Sequence, residues 1–222
     1  MTSEINSIDA VLFDMDGVVV DSMPSHFHTW QSVLHDSGIS VSMEDIYRRE
    51  GMTGIRSVRD IFLDKKAPLP DDEDVQDIMS RKHELFESCN ISLFPQIGII
   101  LDCLKSRGLK LALVTGSSKR AVRHVLPDDV SCLFDAIITS EDVERGKPDP
   151  EPYVTALEAL CVSASRSLVI ENAPMGIQSA GSAGIKCIAL ETTLERSWLL
   201  SADLVLPDHD SLCEYLCPGI KN

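Results

Sequence analysis

Asp14 and Asp16, one residue apart and followed by Gly17, end an apolar run in the chain's most chemically loaded stretch. Taken alone, Asp14-Met15-Asp16 also fits a polar turn after an edge strand. Two carboxylates this close repel unless a cation lies between them or one is protonated, and a hard cation with oxygen ligands, Mg2+, suits them best. Three further polar groups fit the same chemistry: Thr115-Gly116-Ser117, Lys147 and Glu171-Asn172. Together they would perform phosphoryl transfer. Asp14 can attack phosphorus and form an aspartyl-phosphate. Asp16 can protonate the leaving oxygen and then activate water. The Thr115 hydroxyl and the N–H groups of Gly116 and Ser117 can hold phosphate oxygens, although Ser117 also suits an N-cap. Lys147 supplies a cation for the phosphoryl charge. Glu171 and Asn172 would complete an oxygen shell with Asp14 and the Asp16 carbonyl.

These residues lie far apart in sequence, so a fold must bring them together. Residues 8–13 read as a buried strand. Further strands are expected at 109–114, 136–139, 168–170, 187–190 and 204–206, alternating with helices at 97–107, 119–126, 151–160 and 175–183. This alternation predicts an α/β fold, a Rossmann-like parallel sheet covered on both faces, with strand ends gathered on one edge. The segment after the first strand is different. Helices are expected at 24–37, 42–50, 56–63 and 73–89, the second opened by the capping-box-like Ser42-x-x-Asp45. Residues 17–93 are therefore expected to form an all-helical cap over a discontinuous core of 1–16 and 94–222, hinged near 17–23 and 88–95.

Four stretches carry a family resemblance: Phe13-Asp14-Met15-Asp16-Gly17-Val18-Val19-Val20-Asp21-Ser22, Val114-Thr115-Gly116-Ser117-Ser118, Gly146-Lys147-Pro148-Asp149-Pro150, and Val169-Ile170-Glu171-Asn172-Ala173-Pro174. They occur in order and resemble the signature motifs of the haloacid dehalogenase superfamily. The match is to the branch with a helical cap inserted after the first strand, which includes phosphoglycolate-phosphatase-like enzymes, sugar-phosphate phosphatases and β-phosphoglucomutases. The resemblance implies an Mg2+-dependent phosphatase with the roles given above. Aspartate at position 16 favours phosphate chemistry over dehalogenation.

One departure is visible. Many relatives with this cap carry Glu-Asp where this chain has Glu171-Asn172, so the core site is one negative charge poorer toward Mg2+. The cap loop Glu50-Gly51-Met52-Thr53-Gly54, together with Glu-Asn-Ala-Pro, resembles a bacterial inorganic pyrophosphatase of the superfamily. That resemblance implies that Glu50 reaches the metal when the cap closes. A closed cap would then favour pyrophosphate over larger esters. Thr53 and Arg56 are candidate contacts for the leaving group, since Arg suits a second phosphate. His26 and Trp30 resemble a pair near the first hinge of β-phosphoglucomutases. Each of these cap residues also fits an ordinary helix face.

Composition narrows the alternatives. The chain has 222 residues, 44% hydrophobic and 25% charged, with a formal charge of -15. That charge argues against a nucleic-acid surface, which needs clustered Lys and Arg, but not against a small phosphorylated substrate. No run approaches a membrane span, and residues 1–6 lack the basic and apolar parts of a signal peptide. A cytoplasmic monomer is expected, with no membrane partner. The seven cysteines, odd in number and without a Cys-x-x-Cys, read as free thiols; Cys213 and Cys217 lack partners for a metal site. Two other functions remain open. A β-phosphoglucomutase-type phosphomutase would need a second basic cluster in the cap, and the sequence shows no dense one. A non-catalytic binding module would have no use for Asp14, Asp16, Thr115 and Lys147 together.

Overall fold

The computed structural model describes residues 7–219; the N-terminal segment read for a signal peptide lies outside them. Among the described residues, six parallel strands form one sheet: Ala10–Phe13 (β1), Lys110–Val114 (β2), Ala136–Ile138 (β3), Ser167–Glu171 (β4), Lys186–Leu190 (β5) and Leu204–Leu206 (β6). Their order is β3-β2-β1-β4-β5-β6, all parallel. This is the Rossmann-like arrangement expected from the alternation. The order reverses direction about β1, so its carboxyl end lies beside those of β2 and β4, the place where such sheets bind ligands.

Both sheet faces are covered, which is why β1 is apolar at every position rather than alternating. Val11 and Phe13 join one cluster with Ile97–Ser106 (the helix that follows the insertion) and His209–Leu216; Leu12 joins the opposite cluster with Tyr153, Leu157 and Ile177. The helices between β1 and β2 are Met23–Asp36 (α1), Met43–Tyr47 (α2), Gly54–Asp64 (α3), Asp72–Glu87 (α4) and Ile97–Ser106 (α5). Then follow Lys119–Val125 (α6), Asp128–Ser131 (α7), Glu151–Leu160 (α8), Pro174–Ser182 (α9) and His209–Leu216 (α10). The α2 start has the full capping box, with Ser42 and Asp45 each accepting the other's backbone N–H.

α1–α4 bury a cluster of their own around Phe27, Trp30, Leu34, Val58 and Ile78. One member comes from elsewhere: Leu194, on the loop after β5. Val18, Val19 and Val20 pack instead with the sheet-face cluster. The two crossings into and out of the helical insert run side by side, with Asp21 N–H donating to Ser92 O (2.9 Å), Phe94 N–H donating to Val19 O (3.1 Å), and an antiparallel bridge from Val20 to Leu93.

Two expectations need correction. The terminal helix α10 was not expected; Asp208 caps it by accepting Ser211 N–H, and Leu212 and Leu216 supply its buried face. The cysteines are not all free thiols. Cys103 of α5 and Cys217, just after α10, form a disulfide with a Cα–Cα separation of 6.3 Å. The packing of α10 on α5 brings together residues 114 apart, and chain spacing carries no sign of that. Among the described residues, no helix is long and apolar enough to cross a membrane.

Candidate active site

The carboxyl ends of β1, β2 and β4 deliver Asp14, Thr115 and Glu171 to one place, and the loop before α8 adds Lys147. All four are buried, as are Asp16 and Asn172. Lys147 is the hub. Its ammonium donates to Asp14 Oδ1 (2.5 Å), Glu171 Oε1 (2.7 Å) and the Val114 carbonyl (3.1 Å). Burial works against its charge, yet Asp14 and Glu171 outweigh that and hold its pKa above the ordinary lysine value. Burial pushes the Asp14 carboxyl well above the usual range despite Lys147.

Glu171 has partners other than those expected of a metal ligand. Oε1 accepts from Lys147 and from Tyr153 OH (3.0 Å), and Oε2 accepts the backbone N–H groups of Asn172 (2.9 Å) and Ala173 (3.2 Å). Gly176, on the first turn of α9, lies so close that a Cβ there would overlap the Glu171 carboxylate. The side chain is thus spent on holding Lys147 in place.

Two buried side-chain oxygens at this edge have no hydrogen-bond partner: Asp14 Oδ2 and Asn172 Oδ1. Unpaired buried oxygens cost free energy unless something else satisfies them. A hard divalent cation fits them, with the Asp16 carbonyl nearby on the partner atom of the Asn172 amide (3.1 Å). Among the described residues no three His, Cys, Asp or Glu side chains converge as a ready cage. A metal here would therefore draw on an amide and a backbone carbonyl as well as carboxylates.

Asp16 accepts four hydrogen bonds. Ser22 Oγ (2.5 Å) and His26 Nε2 (3.0 Å) reach Oδ1, while Thr115 Oγ1 (3.3 Å) and Ser117 Oγ (3.1 Å) reach Oδ2. Burial alone would raise this carboxyl; His26, Ser22 and Lys82 overcome that and bring its pKa to about 2. Ser117 N–H, expected to meet a phosphate, donates here to Thr115 Oγ1 (3.0 Å). The turn after β2 folds back on its own threonine. Ser118, not Ser117, caps α6. Gly116 presses against the cap loop, and a Cβ there would meet Gly51 O at 2.7 Å.

Lys82 on α4 was missed in the sequence, and its neighbours explain where it sits. Val75, Ile78, Lys82 and Phe86 follow one another at helical spacing, and all four are buried. The apolar stripe continues straight through the lysine, a legible signal that a cation faces inward. Its ammonium lies 3.0 Å from His26 Nδ1 and over the Phe86 ring at 4.6 Å. Burial drives its pKa down to about 8, against the attraction of Asp16 and Glu50. A charged lysine can only donate, so His26 accepts at Nδ1 and donates from Nε2 to Asp16. Burial and Lys82 keep the ring's pKa below its ordinary value, consistent with a neutral His26. The chain Asp16–His26–Lys82 thus joins the core to the cap.

The Glu50–Gly54 loop of the insert packs against this edge. A Cβ on Gly51, whose φ is +84°, would meet Lys147 Cδ at 2.6 Å. Burial, then repulsion from Asp16 and Asp14, raises the Glu50 pKa well above the usual range. Thr53 precedes α3 without a side-chain capping bond, and its methyl packs near Gly146.

Outside this edge, a cavity of about 580 Å3 opens between insert and sheet, lined by His26, Trp30, Glu50, Thr53, Arg56, Lys82, Phe86, Gly116 and Ser117 among others. Two expectations change here. Closure of the Glu50 loop on Lys147 leaves sugar-sized space, so lack of room does not select pyrophosphate. The insert also presents basic residues after all: Arg56 from α3 and Lys82 from α4 line the cavity, with Arg59, which is paired with Asp72, and His83, whose pKa burial lowers, beside them. They are dispersed in sequence and collected only by the packing of two helices. Arg49 lines the cavity too, but it is committed to Asp60, Asp64 and the Asp45 carbonyl.

A parallel sheet with a buried Asp-x-Asp at its switch point, a lysine hub and a helical insert defines a class, and sequence comparison agrees. The model of the haloacid dehalogenase-like hydrolases matches residues 11–190, and the chain belongs to that family of enzymes. It is 32% identical over 185 residues to a phosphorylated carbohydrates phosphatase of Thermotoga maritima, covering 82% of this chain and 84% of that protein. It is 30% identical over 206 residues to the β-phosphoglucomutase of Bacillus subtilis, covering 89% and 88%. Among solved structures, a Bacteroides vulgatus protein provisionally named β-phosphoglucomutase superposes with a TM-score of 0.85 at 32% identity, covering 100% of this chain and 98% of that one.

Proposed function

We propose that this enzyme is an Mg2+-dependent phosphohydrolase acting on a small phosphorylated carbohydrate, with residues 17–93 serving as its cap. The observation that carries this reading is the pair of unpaired buried oxygens, Asp14 Oδ2 and Asn172 Oδ1, beside a nucleophile whose other oxygen is held by Lys147. Asp14, the Asp16 carbonyl and Asn172 would hold the cation, with Glu50 contributing from the cap. When bound, Mg2+ offsets the charge of the phosphoryl group facing a carboxylate nucleophile.

The protein groups divide the remaining work. Asp14, kept as the carboxylate by the Lys147 ammonium and a bound cation against the effect of burial, attacks phosphorus, forming an Asp14 O–P bond as the P–O bond to the leaving group breaks. Asp16 is ionised without substrate, so its acid step requires that it take up a proton as substrate binds; it gives that proton to the leaving oxygen, then takes one from the water that cleaves the aspartyl-phosphate. The Thr115 and Ser117 hydroxyls, which donate to Asp16 here, can turn to a phosphate; a substrate that claims them frees Asp16 Oδ2 for the leaving group. Lys147 stabilises the equatorial phosphoryl charge. Lys82, buried without a carboxylate bonded to it, and Arg56 supply positive charge on the leaving-group side.

The cavity volume and the names of the relatives favour a sugar-sized leaving group. The approach of Glu50 to Asp14 and Asp16 keeps pyrophosphate among the substrates to be tried. The cations Arg56 and Lys82 along the cavity favour a second reading, a phosphomutase that returns the phosphoryl group to a sugar hydroxyl. One panel separates these readings: phosphate release with Mg2+ from hexose phosphates, hexitol phosphates, phosphoglycolate and pyrophosphate, with β-glucose 1-phosphate followed for conversion to glucose 6-phosphate. Release from sugar phosphates supports the phosphatase. Isomerisation without release supports the mutase. Neither activity on any member would overturn both.

A further inference from the structure

A carboxylate at position 172 would offer a metal an oxygen in either orientation, but an amide has a wrong way round. If Asn172 turned its NH2 toward the cation, the donor would repel it. The side chain therefore needs something to set its direction, and that must be a pair of acceptors for the two N–H bonds. Both exist: Asn172 Nδ2 donates to the Asp16 carbonyl (3.1 Å) and to Thr193 Oγ1 (3.1 Å), leaving Oδ1 as the unpaired end.

We infer that Thr193 is a positioning residue that locks the Asn172 amide with its carbonyl oxygen turned to the metal; this rests on the Mg2+ reading above. Three observations converge on it. The Thr193 hydroxyl proton has its own acceptor, the Asn172 main-chain carbonyl (3.4 Å), so its lone pairs are what face Nδ2. Gly17, at φ +86°, vacates the space: a Cβ there would overlap Asn172 Nδ2 and come within 3.1 Å of Thr193 Cγ2. The loop bearing Thr193 is pinned on both sides, by Thr192 Oγ1 donating to Gly17 O (2.6 Å) and by Leu194 buried in the helical cluster of the insert. Outer partners of metal ligands commonly change metal affinity by ~10- to 100-fold when removed.

The test is Mg2+ affinity of the substrate-free protein, by titration calorimetry, in Thr193→Val, Thr193→Ser, Asn172→Asp and the Asn172→Asp/Thr193→Val double variant. Thr193→Val should weaken Mg2+ about tenfold, and Thr193→Ser should restore wild-type affinity. In the Asn172→Asp background, with no amide to orient, Thr193→Val should change affinity less than about twofold. Should Thr193→Val fail to fold, Thr193→Ala takes its place in the same comparison. Wild-type affinity in Thr193→Val, or an equal loss in the wild-type and Asn172→Asp backgrounds, overturns the positioning role. Wild-type protein that binds no Mg2+ overturns it together with the metal reading. Tight wild-type binding that Asn172→Ala leaves intact removes Asn172 from the ligands and this role with it.

Discussion

The sheet edge and the helical insert bury charge in opposite ways. At the sheet edge Lys147, Asp14, Asp16 and Glu171 are matched by partners within hydrogen-bonding distance, and two oxygens alone are left over. In the insert, buried Arg49 is paired with Asp60 and Asp64, but Lys82 is buried, and Glu50 half-buried, with little direct pairing, and the pKa values of these two move toward neutrality, down for the lysine and up for the acid. On the proposed function, the edge is the reaction centre and Lys82 and Glu50 of the insert are the charges a substrate or metal would meet.

The comparison breaks most sharply at the nucleophile. Asp14→Asn should remove turnover by at least ~10^4-fold, because the covalent route itself is lost. A folded variant with comparable kcat would end the aspartyl-phosphate scheme. Lys147→Met should remove activity and also destabilise the fold by about 3–5 kcal/mol, because Asp14 and Glu171 stay buried without their cation. An unchanged thermal midpoint would mean the edge is not held by pairing. Asp16→Ala should slow turnover by at least ~10^2-fold, with a smaller loss for esters of acidic leaving groups. A uniform loss along that series would reassign Asp16 to support.

On the insert side the effects are smaller and differ in sign. Lys82→Met should lower kcat/KM by about tenfold for the best substrate, using the lower range for a buried charged contact, yet raise the thermal midpoint. The sign follows from linkage. Below pH 8 Lys82 is charged in both states and its burial penalises the folded one. Between about 8 and its ordinary 10.5 only the unfolded chain keeps the proton, so stability rises with pH. The same titration should give wild-type kcat/KM an alkaline fall near pH 8 that Lys82→Met lacks. A destabilised Lys82→Met, or an unmoved pH profile, would put this lysine with the paired charges. Glu50→Ala should have the mildest effect, raising the Mg2+ concentration for half-maximal activity by about threefold, the value of a partly screened charge. Wild-type Mg2+ dependence on every active substrate would remove Glu50 from the metal.

What could be read in the sequence divides along the same line. The edge was legible because each strand carries its functional group at its own end, so the local pattern of apolar run then polar turn locates the residue. Asp14 and Thr115 lie at strand ends where that reasoning put them, and Lys147 in the loop after β3, as its motif implied. It could not say that Glu171 would be consumed by Lys147, Tyr153 and two main-chain N–H groups, because those contacts depend on three dimensions. The insert was legible as helices, down to the Ser42–Asp45 box, but not as a binding wall: Arg56 and Lys82 meet only because α3 packs on α4. Lys82 was still within reach, since the stripe Val75, Ile78, Phe86 passes through it. Thr193 was not, as nothing in Thr192-Thr193-Leu194 marks it until Asn172 stands beside it.

Leu194 bears on how this architecture can be inherited or re-engineered. It is supplied by the loop after β5 yet belongs to the apolar interior of a segment that enters the chain more than a hundred residues earlier. A chimaera that swaps the helical segment alone would give the grafted part a foreign plug where its own interior expects another side chain. The transferable unit is the helices plus Thr192–Leu194. Drift in substrate preference, which needs new helix faces over the cavity, is therefore tied to a short loop that also touches a proposed metal ligand.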